Sequence, residues 1–284
     1  GDLSLAMSVS VPLLVTQIIS EHGSEEQKGE LLPKLVNGSI FHVGLGINNA
    51  LLSTDPYQSS VTAEENGEEI ILNGSKTGVA FANHANAFLI SASNESGECN
   101  LYFVNKDQEG VALEDKEFMG LKGAPLSQIN LSNCKINASQ KLGGHNYSIN
   151  YESLIDSSRI GMSALALGVC QAVLDYVVPY TNERVAFDEP ISNRQSVAFM
   201  VADMAIETEA LRLMIYKSAA LKDLGEDFHK QASLTYRFAA HHGMKIGTDG
   251  VQLLGGHGFT HEHPVELWYR NLRAIGIFEG GAGV

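Results

Sequence analysis

The sequence predicts an α+β protein in three parts: a short helical part at residues 1–40, a β domain at 41–149 and a helical bundle at 150–284. Apolar residues recur every three or four positions at both ends of the chain, which is typical of helices. Short β-rich runs separated by turn residues fill the middle. With 284 residues, of which 44% are hydrophobic, the chain can bury a core divided over two or three structural units.

The first 36 residues are predicted to form two helices. Leu5, Val9, Leu13 and Ile18 are expected on one buried side of the first helix, and Ser24 is the expected N-cap of the second. The chain begins inside the helical pattern with no preceding cap. We therefore expect that residue 1 is not the natural beginning of this folding unit.

The middle part is predicted to form antiparallel hairpins. Glycines in turn dipeptides can adopt a positive φ, which tight turns between strands require. These dipeptides separate the β-rich runs, and examples are Asn66-Gly67, Asn73-Gly74 and Ser96-Gly97. The runs themselves include residues 69–72, 88–91, 101–104 and 129–131.

Three long helices are predicted after residue 150. The first extends to Pro179, the second covers about Ser192 to Leu224, and the third begins near Phe228. Each has an apolar stripe at helical spacing, which is more often a core face than a cofactor site, so we predict a helical bundle. The stripes include Met162, Val169 and Val173, then Met204, Leu211 and Ile215, then Ala232, Ala239 and Ile246.

Composition excludes several classes of function. The chain has 33 acidic and 19 basic residues, a formal net charge of −14, which disfavours binding to nucleic acids and anionic membranes. Three separated cysteines suggest neither a thiolate metal site nor a redox pair, so we expect buried thiols. No apolar run approaches the ~20 residues needed to span a bilayer, and no secretory leader is visible. We expect a cytoplasmic protein without a membrane span.

The stretch from Ile275 to Glu279 is the strongest candidate for catalysis. Ile275, Ile277 and Phe278 precede the carboxylate and would exclude water from it. Desolvation raises the pKa of a carboxyl group towards neutrality, where it can act as a general base and remove a carbon-bound proton. The alternative is an ordinary helix end with an exposed Glu279, followed by a glycine cap at Gly280.

Two further segments have the composition of ligand sites. Arg184, Phe187 and Gln195 lie between two predicted helices, where a cation can meet an anionic ligand and an aromatic ring can stack. Residues 252–259 are rich in glycine and allow a phosphate or another chain to approach the backbone. The alternatives are an interhelical loop and a polar loop. His257, His261 and His263 lack the additional ligands of a convincing metal site, so no metal is predicted.

Taken together, the motifs resemble the acyl-CoA dehydrogenase family. The resemblance covers nearly the whole chain and implies an N-terminal helical domain, truncated here, a middle antiparallel β domain and a C-terminal four-helix bundle. It is carried by several segments: His22-Gly-Ser-Glu-Glu-Gln-Lys28, Leu72-Asn-Gly-Ser-Lys76, Arg184-x-x-Phe187 with Gln195, Ala202-Asp-Met204, Gln252-x-x-Gly-Gly-x-Gly-Phe259 and Arg270 to Gly280.

The resemblance implies oxidation of an acyl-CoA thioester to the 2-enoyl-CoA, with FAD as cofactor and an electron-transfer flavoprotein as acceptor. Glu279 matches the base that removes the α-proton, and its backbone amide would polarise the thioester oxygen. Asp156 and Gly280 are the expected substrate-binding residues, and Thr54 is expected to bind the flavin. Residues expected at the ADP half of a neighbouring subunit's FAD are Arg184, Phe187, Gln252, Gly255 and Gly256, and Gln195 is also expected to bind the cofactor. A dimer or tetramer, with identical or different subunits, is therefore implied.

Two departures from the family pattern leave other functions open. The family's Thr-Glu-Pro-Gly-Ala-Gly-Ser-Asp corresponds to a run beginning Thr54-Asp55-Pro56, and its Trp-Ile-Thr corresponds to Gly78-Val79-Ala80. These losses affect contacts to the chain's own flavin ring. A non-catalytic or half-catalytic subunit that completes another chain's FAD site is the main alternative. An acyl-CoA isomerase or lyase that uses Glu279 without net oxidation is a more distant one.

Overall fold

The computed structural model describes residues 2–37, 42–49 and 55–279, and two helices form its first part. They are α1 (Leu3–His22) and α2 (Glu25–Val36). Ser24 is the N-cap of α2, as predicted: its hydroxyl accepts the Gln27 N–H at 3.2 Å, and the Gln27 side chain accepts the Ser24 N–H at 3.0 Å. This reciprocal pair satisfies two backbone donors at the start of the helix.

The buried face of α1 differs from the predicted one. Leu5, Val9 and Leu13 are 67%, 58% and 64% exposed, whereas Met7, Val15 and Ile18 are buried. Apolar residues occur on nearly all sides of this helix, so their periodicity cannot single out one face. Packing against the sheet and the bundle selects the face instead, and the predicted stripe was wrong except at Ile18.

The described residues of the middle part form one seven-stranded sheet with the order β1-β4-β2-β3-β7-β6, and β5 pairs with β4. The sheet is mixed, because β1 runs parallel to β4 and β2 pairs with β4 in parallel at Thr62 and Ser93. The prediction of an antiparallel domain was therefore incomplete. Turn dipeptides predict hairpins between consecutive strands. Strands that are separated by one or two other strands in the chain can also pair, but no short sequence motif predicts that pairing. The strands are β1 (Val43–Gly46), β2 (Val61–Asn66), β3 (Glu69–Ala80), β4 (Ala87–Ser93), β5 (Cys99–Asn105), β6 (Val111–Lys116) and β7 (Leu126–Asn137).

The described residues of the last part form four α-helices, and a short hairpin of β8 (Val185–Ala186) and β9 (Glu189–Pro190) connects the first two. The predicted stripes are confirmed as core residues, including Val173, Met204 and Ala239. The first helix was expected to end at Pro179 but continues to Glu183. The helices are α3 (Tyr151–Glu183), α4 (Gln195–Asp223), α5 (His229–Leu254) and α6 (Val265–Ile275).

The three cysteines are free and buried, as the sequence predicted. Two of the described helices, α1 and α3, are long and apolar enough to cross a membrane by length and composition alone. Core helices of soluble proteins pass the same test, and α3 packs against α4, α5 and α6. The expectation of no membrane span stays a prediction.

Candidate active site

Glu279 lies in a turn after α6 and is 5% exposed, so its interpretation as an exposed helix end was wrong. Its φ is +52°, in the left-handed region that costs a residue with a side chain about 1–2 kcal/mol. Such a conformation persists where surrounding contacts hold it, and these positions concentrate at functional sites.

Side chains from three separate elements hold the backbone around Glu279. The Glu279 N–H donates to Oδ1 of Asn48 at 2.9 Å, and its carbonyl oxygen accepts from Nη2 of Arg159 at 3.2 Å. The Tyr236 hydroxyl lies within hydrogen-bonding distance of the carbonyl oxygens of Ile275 and Phe278. The peptide groups on both sides of the carboxylate are therefore fixed by the loop after β1, by α3 and by α5.

Burial raises the pKa of the Glu279 carboxyl from 4.5 to about 7, although a hydrogen bond from Ser158 and the charge of Arg159 act in the opposite direction. Its Oε2 atom is buried and makes no hydrogen bond to the part of the chain that the structure describes. A carboxylate with this pKa and a free oxygen can accept a proton near neutral pH.

A cavity of about 500 Å³ opens beside Glu279 between α1 and α3. Ser158 on α3, which hydrogen-bonds to the Glu279 carboxyl group, lines this cavity. Asn48, Gly78 and Ala80 from the β domain line it as well. This volume is typical of a small-molecule site lined mainly by apolar groups. Apolar lining residues from the two helices are Met7, Val11, Leu14, Ile18, Leu154, Met162 and Leu165.

Lys76 is fully buried on β3 and supports the chain on both sides of Asn48. Its Nζ atom donates to the Ile47 carbonyl oxygen at 3.3 Å and to Oδ1 of Asn49 at 2.9 Å. Thr77 N–H also donates to the Asn48 carbonyl oxygen at 3.1 Å. Desolvation lowers the pKa of Lys76 to about 8, which still leaves the ammonium group mostly charged at neutral pH.

Asp156, an expected substrate-binding residue, is 1% exposed on α3. Its Oδ2 atom accepts from Nδ1 of His229 at 2.8 Å, and Oδ1 lies 3.6 Å from Nη1 of Arg159. Burial raises the Asp156 pKa, while His229 and Arg159 oppose that effect, and the bond to Asp156 raises the pKa of His229. In this conformation Asp156 orders Arg159, and its role towards substrate stays a prediction.

The departure at Gly78 has a structural counterpart in Phe278. Gly78 has a φ of +65°, and a Cβ atom added there would lie 2.8 Å from Cε1 of Phe278. The ring of Phe278 thus occupies the space into which a side chain at position 78 would extend. Ala80 offers no hydroxyl group. On this side the cavity is lined by Gly78, Ala80 and the ring of Phe278.

The residues expected to bind ADP lie together at the far end of the bundle. Arg184, Gln195, Gln252, Gly255 and Gly256 are exposed, as is Phe187 at 86%. The Tyr180 hydroxyl bonds to Nδ1 of His257 at 2.9 Å, which brings the end of α3 next to the loop after α5.

This end of the bundle fits the ADP half of FAD. The Arg194 guanidinium stacks on the exposed Phe187 ring at 4.8 Å, and open space surrounds the backbone at Gly255 and Gly256. Cations, an aromatic face and open amides suit phosphates and adenine. From Ser158 to Arg184, α3 rises roughly 40 Å, so these residues lie far from Glu279 of the same chain.

Two expected site residues, Thr54 and Gly280, lie outside the described residues. Sequence reasoning missed Asn48, Ser158, Arg159 and Tyr236, which contact Glu279 or the turn before it. For Ser158 and Arg159 a sequence signal exists, since both lie on the same predicted helix as Asp156. For Asn48 and Tyr236 the sequence gives no comparable signal. Among the described residues, no group of three or more metal-ligating side chains is found.

Comparisons with known proteins identify relatives of both the β domain and the helical bundle. Two family models match the chain: the acyl-CoA dehydrogenase middle domain over residues 51–134 and the acyl-CoA dehydrogenase C-terminal domain over residues 150–284. The helical model begins one residue before α3, and the β-domain model covers most of the sheet. The exact domain boundaries stay a prediction.

Individual relatives extend the match beyond the two models. The rat short/branched chain specific acyl-CoA dehydrogenase is 31% identical over 291 residues, covering 100% of this chain and 67% of its own. A 3-(aryl)acrylate reductase from Clostridium sporogenes is 33% identical over 270 residues, covering 92% and 71%. The structure of butyryl-CoA dehydrogenase from Megasphaera elsdenii matches with a TM-score of 0.87 and 28% identity, covering 99% of this chain and 75% of its own.

Proposed function

Since the chain belongs to the acyl-CoA dehydrogenase family, we propose that it oxidises an acyl-CoA thioester to the 2-enoyl-CoA with FAD as cofactor. The observation that carries this proposal is a buried carboxylate, Glu279, with a pKa of about 7 on the wall of an apolar cavity. Proton removal from the carbon next to a thioester requires such a base.

Glu279 takes the α-proton of the substrate through its ionised carboxylate. Above pH 7 most of the Glu279 groups are ionised, and each becomes neutral when it accepts the proton. The apolar surroundings favour that neutral form, which assists the transfer. Arg159 and Tyr236 hold the peptide groups so that the carboxylate keeps its direction. FAD, when bound, supplies the acceptor for the two electrons and the β-hydrogen.

The substrate we propose is a fatty-acyl or other bulky acyl thioester. The cavity has space for such a group, and Val11, Leu14 and Met162 supply apolar contacts along it. An electron-transfer flavoprotein is the proposed electron acceptor, on the basis of the resemblance. Because one relative is a reductase, assays with both saturated and 2-enoyl thioesters decide the direction of the reaction.

The cofactor arrangement we propose crosses a subunit interface. Arg184, Phe187 and Gly255 lie at the opposite end of the bundle from Glu279, so they would hold the ADP half of a neighbour's FAD. Each complete site then needs Glu279 from one chain and Arg184 from another. An oligomer of at least two subunits is required for activity.

Co-expression of two impaired variants, measured at a flavin concentration at which each alone has little turnover, tests this arrangement. Glu279→Gln removes the base, and Arg184→Ala removes the cation offered to the neighbour. In a randomly mixed dimer pool, about a quarter of the sites would combine an intact Glu279 with an intact Arg184 and be active. Recovery of turnover supports the shared site. No recovery, with mixed oligomers confirmed by affinity tags on each variant, refutes it.

A second candidate function follows from Phe278 and Gly78. Since the Phe278 ring packs next to Gly78, this chain offers its own flavin ring little space and no hydroxyl partner. The chain would then complete the FAD site of a different dehydrogenase subunit. Flavin absorbance per chain separates the two functions: one flavin per chain in the purified homo-oligomer supports the enzyme, and flavin only after co-purification with another subunit supports the partner.

A further inference from the structure

We propose that His229, the first residue of α5, is a positioning residue for the catalytic base. Its imidazole holds a carboxylate on α3, and this Asp156 in turn holds Arg159, which bonds to the carbonyl oxygen of Glu279. The inference rests on the proposed function. It gives a role to a histidine that neither the sequence patterns nor the resemblance singled out.

The contact between His229 and Asp156 has a defined donor. An ionised carboxylate can only accept, so Nδ1 of His229, which lies 2.8 Å from Oδ2 of Asp156, carries the proton. The His229 side chain is 43% exposed, whereas that of Asp156 is 2% exposed. The imidazole therefore connects the start of α5, which solvent reaches, to a buried carboxylate.

The titratable and charged groups that face His229 come from α3, from the segment before β2 and from the residues before α5. The hydrogen bond to Asp156 raises the pKa of His229, and partial desolvation acts in the opposite direction. The negative charge of Glu152 also favours the imidazolium form. These groups are Asp156, Glu152 and Arg159 on α3, Tyr57, whose ring lies 6.1 Å from the imidazole, and Asp227, whose Oδ1 accepts the His229 N–H at 3.0 Å.

Arg159 needs a counter-charge to keep its direction towards Glu279. Its Nη1 atom donates to the Tyr57 hydroxyl at 2.9 Å and to Oγ of Ser233 at 3.0 Å, and both partners are uncharged. Its Nη2 atom donates to the Glu279 carbonyl oxygen at 3.2 Å. Among the described residues, Asp156 at 3.6 Å is the acidic side chain that forms an ion pair with this guanidinium. Loss of the Asp156 charge would leave Arg159 held by neutral groups alone.

His229 acts on Asp156 in two ways. Burial raises the pKa of Asp156, and the hydrogen bond from His229 is the main effect that opposes it, so the imidazole keeps Asp156 ionised. The same bond fixes Oδ2, which sets the direction of Oδ1 towards Arg159. Within the part of the chain that the structure describes, Oδ1 makes no hydrogen bond of its own. Without the imidazole, Asp156 would be protonated at a higher pH and its contact with Arg159 would weaken.

Two substitutions of His229 test the proposal. His229→Phe removes the donor, whereas His229→Asn keeps an N–H close to the position of Nδ1 and carries no charge. His242→Phe is the matched control, because Nδ1 of His242 lies 3.2 Å from Oε1 of Glu207 on the same helix, 13 residues or roughly 20 Å further along. The parameters kcat and KM are measured with a saturated acyl-CoA at about pH 6 and about pH 9, on either side of neutrality.

We expect kcat of His229→Phe to fall about tenfold at about pH 6, because a small displacement of a catalytic group is costly. At about pH 9 the loss should be less than about threefold, since Asp156 is ionised there with or without the imidazole. KM should change by less than about twofold, because the acyl cavity is untouched. His229→Asn should recover most of the lost turnover at both pH values, and His242→Phe should match wild type.

Asp156→Asn shows whether His229 acts through Asp156. Adding His229→Phe to this variant should lower kcat by less than about a further twofold, since residues of one network are not additive. Nuclear magnetic resonance gives a readout without turnover. Among the 10 histidines, the His229 signal is assigned from its loss in His229→Asn, and its pKa should fall in Asp156→Asn because the carboxylate that raises it is gone.

An additive loss in the double variant overturns the proposal, as does a kcat of His229→Phe within about twofold of wild type at both pH values. A loss that is equal at both pH values and that His229→Asn does not recover shows a purely structural role and also overturns it. If His229→Phe does not fold by circular dichroism, His229→Ala takes its place in the same comparisons. Full turnover in Glu279→Gln would instead remove the proposed function, so the two failures are distinguishable.

Discussion

Replacing Glu279 with glutamine separates the two effects of burying this carboxyl group, one on catalysis and one on stability. Glutamine has nearly the same shape but cannot accept the α-proton. Turnover should therefore fall by roughly 10²–10⁴, the usual contribution of a general base. In wild type the acid limb of the pH–rate profile should have an apparent pKa of about 7.

The effect on stability has a defined sign. Burial raises the Glu279 pKa from 4.5 in the unfolded chain to about 7 in the folded protein. Between these values the unfolded state releases its proton first, so the stability of wild type falls as the pH rises through this window. At 1.36 kcal/mol per pH unit, the loss amounts to about 3 kcal/mol. The Glu279→Gln variant does not lose this stability, because glutamine does not ionise.

Urea unfolding of both proteins at about pH 4 and about pH 8 measures this difference. The stability of Glu279→Gln relative to wild type should increase by about 3 kcal/mol between the two pH values. Glu266→Gln is the matched control on α6, because the hydrogen bond with Arg270 lowers the Glu266 pKa. Its stability relative to wild type should change in the opposite direction, since that carboxylate stabilises the fold above its unfolded pKa. A pH-independent difference for Glu279→Gln would refute a buried, ionising base.

Two further predictions concern the cofactor residues and β3. Arg184→Ala should weaken flavin retention in the assembled oligomer by about 1.5–3 kcal/mol, because a charge-assisted bond to phosphate is lost. Flavin absorbance per chain checks it, and unchanged content would contradict the assignment. Gly78→Ala should destabilise the protein by about 1–2 kcal/mol for its φ of +65° alone, and by more because its Cβ would meet Phe278 at 2.8 Å. Thermal unfolding should show a smaller loss in the control Gly97→Ala, which has a φ of +84° and nothing within 4 Å.

The burial of Glu279 could be predicted from sequence because its cause is local. Three apolar neighbours, Ile275, Ile277 and Phe278, precede Glu279, and a buried carboxylate follows from them together with the matching motif. The helices of the bundle were predictable for the same reason, since a repeat of three or four residues is local information. The ends of these helices were less predictable, because α3 continues past Pro179 to Glu183.

Asn48 could not be predicted because its partner is remote. The Glu279 amide is 231 positions away in sequence, and two adjacent asparagines after a strand suggest a turn and nothing more. The parallel pairing of β1 with β4 could not be predicted for the same reason, because β2 and β3 lie between these strands in the chain. The face of α1 was missed for a different reason, which is that its apolar residues point in nearly every direction.

Two unfavourable features meet at Glu279, a desolvated carboxylate and a left-handed backbone. Neither would persist in a turn held by one element, because the chain could relax towards solvent and recover both costs. Here Asn48 comes from the β domain, while Arg159 and Tyr236 come from two different helices of the bundle. Relaxation of the turn would therefore break contacts to both parts of the protein at once. The Glu279 carboxyl group is therefore held buried, with a pKa near neutrality, in a turn after α6 where the sheet and the bundle meet.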